Sequence, residues 1–341
     1  MVSVEGYFRY VQEKFLEAAV GGGEERRFDF QLGPAKVAFR FANPALIPSI
    51  LPAFAHLPPA DGASELGLSI DLWDSQTSGL LLKPPPWNEV RGGRVYFCES
   101  PHSVLFDYSA QVLCLYDAQR RHGIFWTPGI ESLPYFEVAS PLRVIFDWFF
   151  SESSLQMMHA GAVGNGDAAL LLVGKGGSGK STTCSLAFQS GLDFLGDDFC
   201  LVDTEKPRVY SLYASSKLCS DVVERFPELK AMQRHSPRSP EEKATFFFGD
   251  KFAGKIPPSL PLKAVTVPRI RATEESSFRR ATALETLTAL APSTVLLLSG
   301  SGDQGFKKSA GLLRRIPSYA LELGRDFKGV ASTLRTLLEQ L

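Results

Sequence analysis

The feature that most constrains this chain is the segment Gly174-Lys175-Gly176-Gly177-Ser178-Gly179-Lys180-Ser181, which fits the pattern G-x-x-x-x-G-K-S. It follows the apolar run Ala168–Val173 and precedes a predicted helix from Lys180 to Ser190, which Gly191 ends. A strand, a glycine-rich loop and a helix in this order direct backbone N–H groups and the positive end of a helix toward one point. The pattern predicts an α/β domain in which these eight residues and Thr182 bind phosphate; the alternative is a surface turn rich in glycine and serine.

Two side chains of this motif have distinct predicted roles. Lys180 is expected to reach the β- and γ-phosphates of a nucleotide, and the hydroxyl of Ser181 is expected to bind Mg²⁺. A GTPase would also carry an N-K-x-D segment that reads guanine, and the sequence contains none. The motif therefore predicts ATP and Mg²⁺ as the cofactors.

An acidic pair ends the next apolar segment, Phe194-Leu195-Gly196-Asp197-Asp198, and Asp198 comes eighteen residues after Lys180. Two carboxylates at a strand end beside a bound triphosphate can hold a metal ion and accept a proton from an attacking hydroxyl. In an extended segment, the two side chains would point to opposite sides. The alternative for the pair is a solvated turn.

A histidine lies on the apolar segment before the phosphate loop's own strand. This residue, His159, precedes Lys180 by 21 positions. A lone histidine on an apolar strand is usually a core residue with a satisfied ring, and a role in the site is the alternative.

The chain divides into two regions at about residue 140. Apolar positions at helical spacing predict a helix within residues 1–19, and alternating apolar residues from Phe28 to Trp126 predict short strands of an antiparallel sheet. Ser140-Pro141 predicts the start of a helix, and strands then alternate with helices. We expect a smaller β-rich α+β domain at 1–139 and an α/β domain at 140–341.

The local patterns make further predictions. Asn43-Pro44 is expected to open a short helix, Lys83–Trp87 to be an extended proline-rich connector, and His235–Lys243 to be a polar loop. A proline-rich ligand for another protein is the alternative for Lys83–Trp87. Predicted strands after residue 150 cover 155–163, 168–173, 193–195, 199–202, 209–212, 262–268 and 294–298, and predicted helices cover 283–290 and 329–341.

Composition excludes several classes of protein. The net charge is −1, so no overall basic field favours nucleic acid or an anionic membrane as a partner. No apolar run approaches the ~20 residues of a membrane helix, and the start of the sequence has no signal-peptide pattern. The five cysteines lack a C-x-x-C pair and are expected to be reduced and mostly buried. We expect a cytoplasmic protein; the oligomeric state stays open.

Taken together, three segments resemble the C-terminal kinase domain of HPr kinase/phosphorylase. They are Met158-His159-Ala160-Gly161-Ala162-Val163, the phosphate loop, and Gly196-Asp197-Asp198, with the spacing of that family. The resemblance covers roughly residues 140–340 and implies a P-loop kinase domain of the HPr-kinase/PEP-carboxykinase-like type. It also implies that His159 lies in the site, that Lys180 binds phosphate, and that Asp198 deprotonates an acceptor serine. Asp197 is then expected to approach the metal ion.

Within that family, the sequence is most similar to divergent members, including kinases that phosphorylate lasso peptide precursors at a C-terminal serine. The segments that carry this similarity are Ser211–Leu218, Val267-Pro268-Arg269 and Leu290–Thr294. The Arg-Gly-Leu-Gly segment of true HPr kinases has no counterpart here, and residues 1–140 differ from the usual partner domain. The resemblance therefore implies neither HPr as the substrate nor phosphorylase activity.

Two cations are further candidates for the site. Arg269 or Lys217 could neutralise the charge that spreads over a transferring phosphoryl group; the alternative for each is a surface cation. The function implied is transfer of the γ-phosphoryl group of ATP to a serine of a peptide or small protein. The alternatives are a nucleotide-dependent regulatory or binding protein and a kinase for a small metabolite such as free serine.

Overall fold

The computed structural model describes residues 3–21, 26–60, 66–87, 90–91, 93–224, 227–230, 232–237, 239, 242–294 and 302–341. They form a mixed α/β fold with several sheets. The chain divides into two compact units: the first comprises Met1–Leu51 and Leu57–Phe149, and the second comprises Pro52–His56 and Phe150–Leu341. The boundary thus lies about ten residues after the expected one, and a short early segment groups with the second unit.

The elements of the first unit are α1 (Val4–Gly21), β1 (Arg26–Leu32), β2 (Ala35–Phe41), α2 (Ile47–Ile50), β3 (Leu66–Asp74), α3 (Ser75–Ser78), β4 (Val90–Arg91), β5 (Arg94–Glu99), β6 (His102–Asp107), β7 (Val112–Asp117), β8 (His122–Thr127), α4 (Tyr135–Ala139) and α5 (Arg143–Ser151). The strands form one sheet in the order β1-β2-β3-β8-β7-β6-β5-β4. The predicted strands are confirmed, but the sheet is mixed: β3 pairs in parallel with both β2 and β8.

A helix covers each face of this sheet. The buried residues of α1, among them Phe8, Val11 and Phe15, recur at helical spacing and share a core with Trp73. On α5, Ile145 meets Gly123 so closely that a Cβ at this glycine would lie 2.7 Å from the Ile145 side chain. The helix predicted within residues 1–19 is confirmed as α1.

The proline-rich segment is bound by the first helix of its own unit. The hydroxyl of Tyr7 donates to the carbonyl of Lys83 at 2.8 Å, and the hydroxyl of Tyr10 accepts from the Lys83 N–H at 3.1 Å. Trp87 lies edge-on to Tyr7 and stacks on Phe97. The segment is neither helix nor strand, bends at Pro86, and is anchored at both ends.

The prediction that Ser140-Pro141 starts a helix is wrong. Ser140 instead ends α4, where its N–H donates to the carbonyl of Phe136. Leu142 has φ 61°, which is incompatible with a first helical turn, and α5 starts only at Arg143. In contrast, Asn43 does cap a short 3-10 helix by accepting from the N–H of Ala45, as predicted.

The elements of the second unit are β9 (Leu155–Met158), β10 (Ala160–Gly164), β11 (Ala169–Val173), α6 (Lys180–Gln189), β12 (Asp193–Gly196), β13 (Cys200–Asp203), β14 (Arg208–Tyr210), β15 (Ser215–Leu218), α7 (Ser220–Glu224), α8 (Pro227–Lys230), β16 (Gln233–His235), β17 (Ala244–Phe247), α9 (Gly249–Phe252), β18 (Ser259–Ile270), β19 (Ser277–Arg280), α10 (Ala283–Thr294), α11 (Gly302–Arg315), β20 (Ser318–Leu323) and α12 (Phe327–Glu339). The main sheet runs β12-β10-β11-β18-β14-β13-β9, with β20 on β18 and β19 on β20. A small sheet has the order β15-β17-β16.

Strand β11 contributes side chains to two hydrophobic cores, one on each of its faces. Leu170 and Leu172 pack with residues of α6 and α12, whereas Leu171 and Val173 pack with residues of α10 and α11. Every residue of β11 is buried, as expected for a strand covered on both faces. Its parallel neighbour is β18, which in turn pairs in parallel with β20. The phosphate loop thus starts from a strand that is buried throughout.

The predicted single strand 155–163 is split in two at His159. The first part, β9, pairs with β13, and the second part, β10, pairs with β11 and β12. His159 therefore lies where the chain changes partners. Of the predicted strand 294–298, Thr294 instead ends the helix α10, and residues 295–298 lie outside the described residues, as do parts of the polar loop after His235.

Two further predictions concern the cysteines, which are expected to be reduced and mostly buried, and the lack of a membrane helix. All five cysteines lie in the described residues and none forms a disulfide; Cys114, Cys184 and Cys200 are buried. Within the described ranges, no helix combines the length and the apolar character needed to cross a membrane.

Candidate functional site

The glycine-rich loop links β11 to α6 through backbone conformations that favour glycine. Gly174, Gly177 and Gly179 have φ values of 159°, 78° and 97°. A Cβ at Gly179 would lie 2.7 Å from Leu323, whereas one at Gly177 would meet no atom within 4 Å. The tip of the loop is therefore open, and its base is packed tightly against β20.

Lys180 is the first residue of α6, and its side chain folds back under the loop. Its Nζ donates to the carbonyl of Gly174 at 2.5 Å and to that of Lys175 at 3.3 Å. Burial lowers the pKa of Lys180, against the raising effect of the nearby carboxylates Asp197 and Asp198. The ammonium group is thus held at the centre of the loop.

Asp198 connects two basic side chains in the site. Its Oδ1 lies 3.0 Å from Nε2 of His159, and its Oδ2 accepts from Nζ of Lys217 at 2.5 Å. Burial alone would raise the pKa of Asp198, but the Lys217 ammonium and the His159 contact hold that pKa well below its ordinary value. Asp198 is therefore a carboxylate at every physiological pH.

The backbone at the acidic pair is bent rather than extended. Asp198 has φ 77°, in the left-handed region that residues other than glycine seldom adopt. Asp197 and Asp198 follow the last residue of β12, so the alternation expected of an extended strand does not apply to them. A strained residue of this kind often marks a functional site.

Asp197, the first residue of the acidic pair, is buried. Its Oδ2 accepts from the hydroxyl of Ser216 at 2.8 Å and from the N–H of Lys217 at 3.2 Å. Its Oδ1 is buried and has no hydrogen-bond partner among the described residues. Asp197 thus fixes strand β15, which carries the Lys217 side chain to Asp198.

These side chains surround a cavity of ≈ 270 Å³, which we call the phosphate cavity. The sequence-predicted residues on its wall are His159, Gly176, Gly177, Ser178, Gly179, Lys180, Ser181, Thr182, Asp198 and Lys217. Lys217, one of the two additional cations, is therefore brought into the site. The other, Arg269, is not among the lining residues; it pairs with Glu285 of α10 at 3.0 Å.

The cavity is also lined by residues that the sequence patterns did not indicate. They include Cys219, Val222, Lys243 and Ile270. Lys243 directly precedes β17, and the pairing of β17 with β15 brings it to the same wall as Lys217. Only this cross-strand register places Lys243, so no local sequence signal could have found it.

The site fits a polyphosphate group. Three lysines, Lys180, Lys217 and Lys243, face one carboxylate, Asp198, around the cavity. The buried hydroxyl of Ser178 has no hydrogen-bond partner in the described part of the chain, so it is available to a phosphate oxygen. The N-terminus of the ten-residue helix α6 adds a favourable partial charge.

A magnesium ion has fewer protein ligands here. Ser181 lines the cavity, but Asp197 does not. No group of three His, Cys, Asp or Glu side chains within the described ranges converges as metal ligands. A Mg²⁺ ion in this site would therefore be held by Ser181 and mainly by phosphate oxygens and water, which is its usual coordination in nucleotide sites.

No protein-family model matches the chain, and no curated protein matches it. A weak structural neighbour is the Hpr(Ser) kinase/phosphatase from Coxiella burnetii, at 10% identity and a TM-score of 0.29. The match covers 54% of this chain and 97% of that protein. A similarity of this size supports no conclusion on function, which must be argued from the site itself.

Proposed function

We propose that this chain is an ATP-dependent phosphotransferase of the HPr-kinase type, which transfers the γ-phosphoryl group to a serine hydroxyl of a peptide or small protein. The observation that carries the proposal is the position of Asp198. An ionised carboxylate, with a lowered pKa, lines the same cavity as the phosphate loop. A carboxylate in this position can accept a proton from an acceptor hydroxyl, a role that a site for nucleotide binding alone does not need.

The lysines bind and orient the nucleotide in this proposal. Lys180 exchanges the carbonyl oxygens of Gly174 and Lys175 for phosphate oxygens, which are stronger acceptors for an ammonium group. Lys217 and Lys243 approach from the opposite wall and stabilise negative charge on the group that is transferred. Ser181 supplies one ligand to Mg²⁺, which neutralises charge on the phosphates when bound.

Asp198 positions the acceptor hydroxyl. Asp198 is ionised and can accept a hydrogen bond from the acceptor hydroxyl, and because its pKa is lowered it takes the proton only late in the reaction. Phosphoryl transfer through a loose transition state requires positioning more than a strong base. His159 fixes the carboxylate through its contact with Oδ1, and is thus a positioning residue.

The acceptor class comes from the sequence resemblance. We propose a serine of a peptide or small protein, with a lasso peptide precursor as the first candidate, and recognition by the first unit. Asp197, as a water-mediated ligand of Mg²⁺, and Arg269, as a cation that neutralises charge on the transferring phosphoryl group, are part of the same proposal. We also propose a cytoplasmic location.

The test is phosphate transfer from γ-labelled ATP by the full chain. The acceptors are a peptide with a C-terminal serine, the same peptide with alanine in its place, and free serine. Lys180→Ala is expected to abolish transfer and weaken ATP binding. Its matched control is Lys206→Ala, which removes an exposed lysine that does not line the phosphate cavity and should keep the activity.

The outcomes separate the alternatives. Transfer to the serine peptide alone supports the proposal, and transfer to free serine alone indicates a metabolite kinase. Binding of ATP without transfer to either acceptor favours a nucleotide-dependent regulatory protein. Equal transfer by Lys180→Ala and the unchanged chain would overturn the assignment of the loop.

A further inference from the structure

A second cavity, of ≈ 230 Å³, adjoins the phosphate cavity beside α6. We call it the side cavity. Its walls come from the first two turns of α6, the end of β18, and the connection from β20 to α12. Four residues line both cavities, namely Gly179, Thr182, Val222 and Ile270. The two cavities therefore adjoin at the start of α6.

The walls of the side cavity are largely apolar. Leu186, Leu323 and Val330 are buried core residues, and Phe327 packs against the same core. The polar side chains on its wall are the hydroxyls of Thr182 and Thr183, and no charged side chain of the described residues lines it. The N–H of Gly324 is already bonded to Ser276. Such a surface favours a flat, apolar group rather than an ion.

Ile270 stands at the junction of the two cavities with 67% of its surface exposed. An exposed large apolar residue is unremarkable by itself. Here, however, it lies at the end of β18 and faces the path from the phosphate loop into an apolar pocket. A ligand that covers it would remove apolar surface from water and so bind more tightly.

We propose that the side cavity binds the base of the nucleotide, an inference that rests on the proposed function. The phosphates occupy the phosphate cavity, the sugar passes Thr182, and the ring system lies between Ile270 and the Leu323–Phe327 connection. Together the two volumes fall in the range of ~300–1,000 Å³ that is typical of small-molecule sites. The base is held by apolar contact and stacking rather than by charge.

The experiment compares two ligands that differ in the base and sugar. ATP and inorganic tripolyphosphate are titrated, with Mg²⁺, into the full chain and into Ile270→Ser. The unchanged chain is expected to bind ATP more tightly than tripolyphosphate. Ile270→Ser should weaken ATP binding by roughly 5- to 20-fold and leave tripolyphosphate binding unchanged. Because Ile270 is mostly exposed, this substitution leaves the core intact.

The control is Leu284→Ser, which removes another exposed apolar side chain (74% exposed) outside both cavities and should change neither affinity. Phe327→Ala is a second test from the opposite wall, with the same selective loss expected. Equal affinities of the unchanged chain for the two ligands, or a loss that is equal for both in Ile270→Ser, would overturn the base site alone. If the unchanged chain binds neither ligand, the proposed function fails as well.

Discussion

Lys217 contacts both members of the acidic pair: Asp198 through its side chain and Asp197 through its backbone N–H. Its Nζ donates to Oδ2 of Asp198 at 2.5 Å, while its own N–H is held by the neighbouring carboxylate of Asp197. Because β15 is fixed in this way, the ammonium group cannot drift far from the cavity. The two adjacent carboxylates thus have different roles: Asp197 positions strand β15, and Asp198 faces the phosphate cavity.

Replacing Asp198 tests the role of the carboxylate. Asp198→Asn keeps the size of the side chain but removes its charge and its proton affinity, so the transfer rate is expected to fall by about 10²–10⁴-fold. ATP affinity should change much less, because the phosphate loop is untouched. The measurement is transfer to a serine peptide, with nucleotide affinity determined in parallel. A near-normal maximal rate would remove Asp198 from the mechanism.

Replacing Asp197 should have a different effect. Its buried Oδ2 accepts two hydrogen bonds, so Asp197→Asn is expected to lower the free energy of unfolding by about 1–3 kcal/mol. Denaturant unfolding measures this loss, and a Mg²⁺ titration of the rate tests its predicted metal role. Ser216→Ala removes one of the two bonds and should reproduce part of the destabilisation. Unchanged stability in both variants would contradict this structural role.

His56 makes stability depend on pH. Burial lowers its pKa from 6.5 to about 4, and its Nε2 lies 2.9 Å from the hydroxyl of Ser211. Between these two pH values the unfolded chain binds more protons at His56 than the folded chain does, so stability falls as the pH falls through this window. The shift corresponds to about 3 kcal/mol. Above pH 6.5 the contribution of His56 is fully present.

The measurement is the free energy of unfolding between pH 7 and pH 4, for the unchanged chain and His56→Gln. The variant lacks the titrating ring, so its stability should decline less over this range. Ser211→Ala keeps the buried ring and should keep the steeper decline. Parallel pH profiles for the unchanged chain and His56→Gln would show that the ring is not neutral in the folded state.

Phe54 tests whether the early segment belongs to the second unit. Its side chain is fully buried, and the centroid of its ring lies 5.5 Å from that of Tyr213. Next to it, the carbonyl of Ala53 accepts a hydrogen bond from the N–H of Ala214 at 2.8 Å. Phe54→Ala is expected to destabilise this unit by about 3–5 kcal/mol. Hydrogen exchange should show lost protection around Tyr213 and Ala214. Leu81→Ala, at a side chain that is 86% exposed, should have no such effect.

Much of the site could be predicted because its chemistry is local in sequence. A strand, the loop and α6 follow one another, and the glycines, Lys180 and Ser181 therefore mark the phosphate cavity without tertiary information. The burial of β11 on both faces also follows from its continuous apolar run. These features depend on neighbours in the chain.

The rest depends on pairing between distant segments. The break at His159 arises because β9 and β10 join different strands, which their common apolar pattern does not reveal. Asp198 has φ 77° at the point where its side chain meets His159 and Lys217, whereas the residue type alone favours a negative value. The start of α5 at Arg143 reflects a turn at Leu142 that an ideal Ser-Pro helix start would exclude.

The anchoring of Lys83–Trp87 on α1 has a consequence for recognition by other proteins. A segment tethered beside its binding site has an effective concentration of the order of millimolar. A proline-binding domain of another protein would therefore have to compete with α1 for Lys83–Trp87. Displacing Tyr7 and Tyr10 would also leave two hydroxyls without their carbonyl and N–H partners from Lys83. The segment Lys83–Trp87 thus behaves as a ligand that is already bound within its own chain.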